Sequence, residues 1–304
     1  SLIFLSIFIF IFFHKPDLKS QINFSWFSKK ASILFNNWLM MYFLSVVLIG
    51  TVYPIFLDVI SSEQISVGPP FYHRLIIPFL IPFLLIMAIG PKLSWISTNI
   101  KQKLNLIIFL VISFFLAGFI VVNLNVEFLI NTILIGSSFY LFFLTLSDLF
   151  RNKLINISQN ISHFGFSLLI LSILFNNIFS SEIITNMKIG EVYKKDKIEI
   201  NFQKIEQKKE KNFNSIIGTF NITDSENKSI TLKPQLRIFN QPNIITSEAD
   251  IKTTLFSDKF MVMNVVQNQE YFNIRYQIKP FMIWIWISVI IITLGGLVSF
   301  YRKI

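Results

Sequence analysis

Apolar runs about as long as a bilayer is thick constrain this chain more than any other feature of its sequence. One run extends from Ile161 to Phe179, and its only ionisable side chain is His163. A helix of about 20 apolar residues can cross the hydrocarbon core of a membrane. The sequence therefore predicts a polytopic α-helical membrane protein with about seven spans. We expect the spans at residues 1–13, 33–57, 75–90, 104–122, 128–150, 161–179 and 281–300.

The first of these runs is too short to cross a membrane, and the chain begins with Ser1 rather than Met. We therefore expect residues 1–13 to be the end of a truncated span. Composition agrees with the membrane prediction, because only 14% of the 304 residues are charged, whereas soluble domains average about 25%. The chain contains no Cys, which excludes disulfides, cysteine-ligated zinc, iron–sulfur clusters and thiol catalysis.

Residues 180–279 have a different character, since they hold 15 of the 27 Lys and Arg and 12 of the 17 Asp and Glu. Their apolar residues alternate with polar ones, which is typical of half-buried strands. We predict one outer β-rich domain at 180–279, between a membrane region at 1–179 and a final span with a short tail at 280–304. The alternating sets are Ile198, Ile200 and Phe202; Ile230, Leu232, Leu236 and Ile238; and Phe272, Ile274, Tyr276 and Ile278.

The net charge of +10 is explained by membrane orientation rather than by nucleic-acid binding. The basic loops are 14–32, 91–103, 151–160 and 301–304, with 11 Lys and Arg between them. The short loops on the other side hold only Arg74. Because basic loops stay in the cytoplasm, we predict that the β domain lies on the periplasmic side of a bacterial inner membrane, or in the equivalent mitochondrial location. The run Lys208, Lys209 and Lys211 is interpreted as solvated loop charge.

His163 allows two interpretations. Ionisable side chains inside spanning helices are rare and costly, so each one indicates a function. A neutral imidazole is a common axial ligand of haem iron, and Ser167, one helical turn further, leaves room for a flat ligand. Alternatively, His163 lies near the helix end and extends its ring toward the membrane surface. The helix alone does not favour one of these over the other.

The segment Gly68-Pro69-Pro70 is predicted to form part of a stiff outer loop at 58–74, because Gly followed by two prolines cannot continue a helix. This loop is either a simple connection between helices or the wall of a site for a flat apolar ligand or a partner. His73, close behind it, is interpreted as an interfacial histidine. His14, in the basic inner stretch, is expected to have no chemical role.

Two further patterns carry no catalytic assignment. Asp148 and Arg151 are three residues apart at a helix end and are predicted to form a local ion pair. Gly295 and Gly296 are predicted to allow close packing of the last span. No Gly-rich phosphate loop precedes a helix, so nucleotide binding has no support. The sequence names no catalytic residue.

Several stretches together, in order and spacing across nearly the whole chain, resemble the C-terminal half of the CcmF family of cytochrome c-type biogenesis haem lyase subunits. Each stretch alone is a weak signal, whereas the whole series is specific. The stretches are Asn36-Asn37, Gly50–Pro54, Ile65–Tyr72, Pro82–Pro91, His163–Phe166, Met187–Glu191, Ser247–Ala249, Arg275, Lys279–Phe281, Trp284–Trp286 and Leu294–Gly296.

The resemblance implies a role in haem handling. Proteins of this family take haem from the haem chaperone CcmE and promote its covalent attachment to apocytochrome c, which CcmH- or CcmI-type partners hold. The implied partners are therefore these proteins and membrane lipid, with no nucleic acid. The family also holds a haem b within the membrane. The resemblance makes His163 an axial ligand of that haem, and places Gly68, Pro69 and Pro70 at the surface that handles substrate haem.

The resemblance covers only part of the family's machinery. The Trp-rich haem-handling segment and the other ligand of haem b belong to the family's N-terminal half, which this sequence lacks. We therefore expect thioether-bond formation to require that half as well as the partners. Two other functions remain open, a non-enzymatic membrane scaffold and a subunit of a transporter or respiratory complex. A transporter would need intramembrane charges along a path, and this sequence has few.

Overall fold

The fold is given by a computed structural model that describes residues 25–61, 65–95, 104–124, 128–151, 157–195, 198–224, 229–242, 244–266 and 270–301. The expected partial span at 1–13 and His14 lie outside the described residues. Two compact units make up the chain, residues 1–112 and residues 113–304.

The described residues contain six helices that are long and apolar enough to cross a membrane. They are α1 (Lys29–Ser61), α2 (Pro69–Ile89), α3 (Leu104–Leu124), α4 (Phe128–Arg151), α5 (Ile157–Phe179) and α6 (Met282–Tyr301). A short 3₁₀ turn, Gly90–Lys92, follows α2. Each helix covers nearly all of one span that the sequence predicts, and α1 is longer than expected because it begins at Lys29 and continues to Ser61. The prediction of a polytopic helical protein with a β-rich domain is confirmed.

In the first unit, α1 packs against α2 mainly through aromatic side chains. The rings of Tyr42 and Phe79 have their centroids 4.3 Å apart, and those of Phe43 and Phe83 are 5.5 Å apart. The Tyr42 hydroxyl also donates a hydrogen bond to the carbonyl of Leu75, at 3.0 Å. These contacts join the middle of α1 to the middle of α2.

The prediction that residues 58–74 form a loop is wrong at both ends. Helix α1 continues to Ser61, and α2 begins at Pro69, so the structure places Pro69 and Pro70 in a helix rather than in a loop. The physical reason is that the first helical turn needs no backbone N–H donors, and the fixed φ of proline already suits a helix. Gly68 precedes them as the N-cap, with an extended backbone.

In the second unit, the described residues between α5 and α6 form ten strands. Their bounds are β1 (Ser181–Met187), β2 (Val192–Lys195), β3 (Ile198–Lys209), β4 (Phe213–Asp224), β5 (Ser229–Leu232), β6 (Gln235–Phe239), β7 (Ile245–Glu248), β8 (Asp250–Thr253), β9 (Ser257–Val265) and β10 (Phe272–Pro280). One sheet has the order β1-β10-β9-β8, and the other has the order β2-β3-β4-β6-β7 with β5 paired to β4. All pairings are antiparallel.

The alternating apolar residues of the two sheets meet in one core. Phe202 and Phe220 are cross-strand partners with stacked rings, 4.2 Å between centroids. The ring of Phe202 also meets that of Phe272, which belongs to the other sheet, at 5.7 Å. A Cβ at Gly218 would lie only 2.8 Å from the Met263 sulfur, so glycine makes room for Met263 there. The predicted period-two alternation is confirmed, and it builds this core.

The lysine run of the β domain agrees with its prediction only in part. Lys211 lies in the turn between β3 and β4, whereas Lys208 and Lys209 are the last residues of β3. The Lys208 amine lies 2.6 Å from the Glu210 carboxylate, and Lys204 is similarly placed 2.5 Å from Glu206. The exposed face of a long strand can be as polar as a loop, so a run of lysines does not distinguish the two. Such surface ion pairs contribute only about 0–1 kcal/mol each.

A polar cluster ties β1 to β10. Glu182 on β1 accepts a hydrogen bond from the Gln277 side chain at 2.9 Å and another from the Arg275 guanidinium. These two hydrogen bonds lower the pKa of the Glu182 carboxyl. Glu182 therefore stays ionised at neutral pH, and any stability it contributes is lost as the pH falls through its folded-state pKa. Arg275 is one of the residues that carry the family resemblance.

The β domain is fixed to the helices at a compact junction. The Asn176 amide, near the end of α5, donates to the carbonyl of Pro280 at 2.6 Å. Phe281 follows Pro280 with a φ of 60°, a left-handed conformation that costs a non-glycine residue about 1–3 kcal/mol. Its ring packs 5.4 Å from that of Phe175 on α5, which holds this conformation in place. The junction therefore fixes the start of α6 beside the end of α5.

Candidate functional site

His163 lies in the second turn of α5 and is half-buried. Within the described part of the chain, its imidazole makes no hydrogen bond. Ser167, one helical turn after His163, and Leu174, three turns after it, lie on the same face of α5. Leu174 packs against a small apolar cluster of Ala117, Val121 and Ile135. The His163 face of α5 is therefore directed toward α3 and α4.

Helix α6 packs on the other side of α5, at very short range. A Cβ at Gly165 would lie 2.9 Å from the backbone nitrogen of Ile292. A Cβ at Gly295 would clash with the Ser162 hydroxyl and would lie 3.0 Å from the carbonyl of Ser158. The Ser158 hydroxyl donates to the carbonyl of Gly295 at 2.8 Å. This crossing holds α5, and with it His163, against α6.

Only one of the two glycines predicted to allow close packing does so. Gly295 lies at the crossing with α5, whereas a Cβ at Gly296 would have no neighbour within 4 Å. Consecutive residues on a helix point in directions about 100° apart, so a Gly-Gly pair can present only one member to a single neighbour. For Gly296 the prediction is wrong.

Ser167 is fully buried, and its surroundings differ from the expectation. Its hydroxyl lies 3.2 Å from the Thr145 hydroxyl on α4, and it also donates to the carbonyl of Phe164 at 2.7 Å. The space that the sequence assigned to a flat ligand beside Ser167 is thus filled by α4. Small polar residues at this position allow two helices to approach each other. No sequence pattern indicated Thr145, because a hydroxyl on a helix can be satisfied by its own backbone.

Asp148 lies near the end of α4 and acts electrostatically on the His163 imidazole. Within the described residues the Asp148 carboxylate affects the ring through its charge, since the imidazole makes no hydrogen bond there. The sequence interpretation paired Asp148 with Arg151, whose side chain lies outside the described residues. Among the described residues, no group of three His, Cys, Asp or Glu side chains converges to hold a metal ion.

Gly68, Pro69 and Pro70 form the exposed N-terminal end of α2. The two prolines are exposed, while the next residues, Phe71 and Tyr72, turn toward Gly50 of α1. A Cβ at Gly50 would lie 2.7 Å from the Tyr72 hydroxyl. The end of α2 is thus anchored by aromatic side chains while its prolines remain accessible. These residues belong to the first unit and His163 to the second.

Comparison with known proteins agrees with this architecture. Residues 178–280 match the family model described as the CcmF C-terminal beta-sandwich, and this range spans all ten strands. The cytochrome c-type biogenesis protein CcmF of Pseudomonas fluorescens is 24% identical over 303 residues, which cover 95% of this chain and 46% of the relative. CcmF of Escherichia coli strain K12 is 23% identical over 301 residues, or 94% of this chain and 46% of the relative.

This chain is similar to CcmF, and the family model that it matches is that of the CcmF C-terminal domain. A solved structure named "Cytochrome c Heme Lyase CcmF" superposes with a TM-score of 0.68 at 18% identity, covering 90% of this chain and 46% of that one. At that identity the superposition establishes the fold: apolar spanning helices with an inserted β domain. The chain spans about half the length of the curated CcmF relatives that it matches. The resemblance stated from the sequence is confirmed.

Proposed function

We propose that this chain is the C-terminal part of a membrane haem lyase in cytochrome c maturation. In this proposal, the protein takes haem from a CcmE-type chaperone. It then promotes thioether bonds between the haem and an apocytochrome c that CcmH- or CcmI-type partners hold. The observation that supports it most is similarity to proteins named CcmF over 95% of the chain, helices and β domain together. The activity would require the part of CcmF that this chain does not match.

The second part of the proposal concerns a haem b within the membrane, with the His163 imidazole as one axial ligand and the other ligand outside this chain. Three observations support it. The ring nitrogens are free of hydrogen bonds within the described residues, the Asp148 carboxylate acts on the ring, and α6 fixes α5 through Gly165 and Gly295. An iron bond would also offset the cost of placing a polar ring in a membrane.

The third part concerns Gly68, Pro69 and Pro70. We propose that this end of α2 contributes to the surface that handles substrate haem. An exposed pair of proline rings on an anchored helix end is a rigid apolar surface, which suits a flat apolar ligand. Because the prolines begin a helix, the surface is more rigid than a loop would be.

Covalent haem attachment provides the test of the proposed function. In cells that make this chain, we expect deletion of its gene to remove haem from c-type cytochromes, as read by haem staining after denaturing electrophoresis. Replacing both Pro69 and Pro70 with Ala is expected to lower the stained signal at least severalfold while the level of the membrane protein is unchanged. His73→Ala is the control, because His73 is exposed in the same helical turn.

Two outcomes separate this proposal from its alternatives. If haem added outside the cells restores cytochrome c in the deletion strain, the protein supplies haem by transport rather than attaching it. If covalent haem persists without the chain, the lyase role is excluded and a scaffold remains. Equal cytochrome yield in the wild type and in the proline variant would remove Pro69 and Pro70 from the proposed haem surface.

The orientation of the chain is also a proposal. The loop charges favour the β domain on the periplasmic side of a bacterial inner membrane, or its mitochondrial equivalent. The chain has no Cys, so Ser229→Cys on β5 would be its only thiol. We expect a membrane-impermeant maleimide to label this variant in intact cells as strongly as in lysed cells. Labelling only after lysis would place the β domain in the cytoplasm.

A further inference from the structure

The turn between β8 and β9 carries two large apolar side chains into the open. Leu255 and Phe256 are 53% and 63% exposed. The turn itself is well ordered by hydrogen bonds: Thr254 N–H donates to the carbonyl of Ser257 at 3.0 Å, and Ser257 N–H donates to the Thr254 hydroxyl at 3.1 Å. Turns usually carry small polar residues. An adjacent Leu and Phe at the end of a rigid hairpin therefore indicate an interaction surface.

This apolar tip, Leu255 and Phe256, is hydrogen-bonded to the start of a membrane-spanning helix. The carbonyl of Phe256 accepts a hydrogen bond from the N–H of Phe281 at 2.9 Å. The carbonyl of Leu255 accepts one from the Trp284 indole at 3.0 Å. Helix α6 begins at Met282, and tryptophan near a helix end marks the membrane–water boundary. The tip thus lies level with the point where α6 enters the lipid.

Basic side chains stand directly behind the tip. Lys252 and Lys259 are cross-strand partners on β8 and β9, and Lys279 on β10 is paired with Asp258 beside them. Like charges placed directly opposite each other in a sheet are destabilising. An anionic group between Lys252 and Lys259 would remove that repulsion. Apolar residues at the end and lysines just behind them match the order of acyl chains and phosphates at a lipid surface.

We propose that the apolar tip inserts into the lipid leaflet on the β-domain side of the membrane, with Lys252 and Lys259 at the headgroup phosphates. The tip would then be continuous with the lipid-facing surface of α6. It would brace the β domain at a fixed height above the membrane, beside the rigid junction formed by Phe281. The inference does not depend on the haem chemistry or on which side of the membrane the domain occupies.

Site-directed spin labelling can test this inference in the full chain. Because the chain has no Cys, Leu255→Cys and Phe256→Cys each create one labelling site. Val265→Cys is the matched control: Val265 is 52% exposed and ends the same strand, β9, about 26 Å from Ser257 at about 3.3 Å per residue. The labelled proteins are placed in nanodiscs of phosphatidylcholine and phosphatidylglycerol. Collision rates of the nitroxide with oxygen and with a water-soluble nickel chelate are then measured.

We expect labels at 255 and 256 to collide several-fold more often with oxygen than with nickel, and the label at 265 to show the reverse preference. A nickel preference at all three positions would place the tip in water and overturn the inference. Labels at 255 and 256 that neither reagent reaches would mean that protein covers the tip, which also overturns it. Two tip positions guard against a single variant that fails to fold.

The lysines give a second, independent readout. Replacing both Lys252 and Lys259 with Gln is expected to raise the nickel collision rate of the label at 256 at least twofold, because the headgroup contacts are lost. In nanodiscs of phosphatidylcholine alone, the same replacement should have a smaller effect, since no net anionic lipid is present. An unchanged collision rate in the anionic nanodiscs would remove the lysines from the inference.

Discussion

Replacing His163 with Ala is expected to abolish the b-type haem absorption of the assembled protein. An axial imidazole is one of two ligands that hold such an iron, so its removal leaves a cavity and an open coordination position. His163 is suited to this role because its nitrogens make no hydrogen bond within the described residues and its helix is fixed against α6. The measurement is the reduced-minus-oxidised spectrum of the purified complex, normalised to protein.

Two companion variants sharpen this experiment. Free imidazole should restore the b-type band in His163→Ala, because a small ligand can occupy the cavity and bind the iron. Asp148→Asn should retain the band, because Asp148 acts on the imidazole through its charge and the imidazole makes no hydrogen bond within the described residues. His73→Ala is the control, since His73 is exposed at the start of α2.

The contrary result is equally definite. A fully occupied haem with an unchanged spectrum in His163→Ala would make His163 an interfacial histidine, which the sequence also allowed. Loss of the band without rescue by imidazole, together with a lower thermal stability, would mean that His163 supports the fold of α4 and α5 rather than the iron.

The sequence predicts this fold well where a single physical rule dominates. Twenty-residue apolar runs specify the helices, and the alternation of Ile198, Ile200 and Phe202 specifies a strand with one buried face. The rule fails where two rules compete. Pro69 and Pro70 suggest a loop because proline cannot continue a helix. The first turn of a helix nevertheless accepts proline, and both residues lie there.

The candidate site is predictable only in part. His163 could be found because an ionisable residue within an apolar run is conspicuous. Its surroundings could not be found, because Thr145 and Asp148 come from another helix, and the register between α4 and α5 is set by packing that leaves no local pattern. The difference between Gly295 and Gly296 has the same origin: only the rotation of α6 against α5 decides which glycine is needed.

The rotation of α6 against α5 predicts a large loss of stability when a side chain is added at Gly295. We expect Gly295→Leu to lower the free energy of unfolding by about 1–3 kcal/mol or more, the usual cost of overpacking a close contact. The new side chain would meet the Ser162 backbone nitrogen, 2.8 Å from an ideal Cβ, and the Ser158 carbonyl. It would also prevent the Ser158 hydroxyl from reaching the carbonyl of residue 295. Thermal unfolding of the full chain in detergent measures the effect.

Gly296→Leu is the matched control, because it adds the same side chain to the next residue of the same helix, where an ideal Cβ has no neighbour within 4 Å. Its thermal midpoint should equal that of the wild type or exceed it, since leucine is the better helix former. Equal destabilisation by both variants would mean that any added bulk on α6 is harmful, and that the crossing at Gly295 is not special. Destabilisation by Gly295→Leu alone, accompanied by weaker haem binding, would connect the α5–α6 crossing to the position of His163.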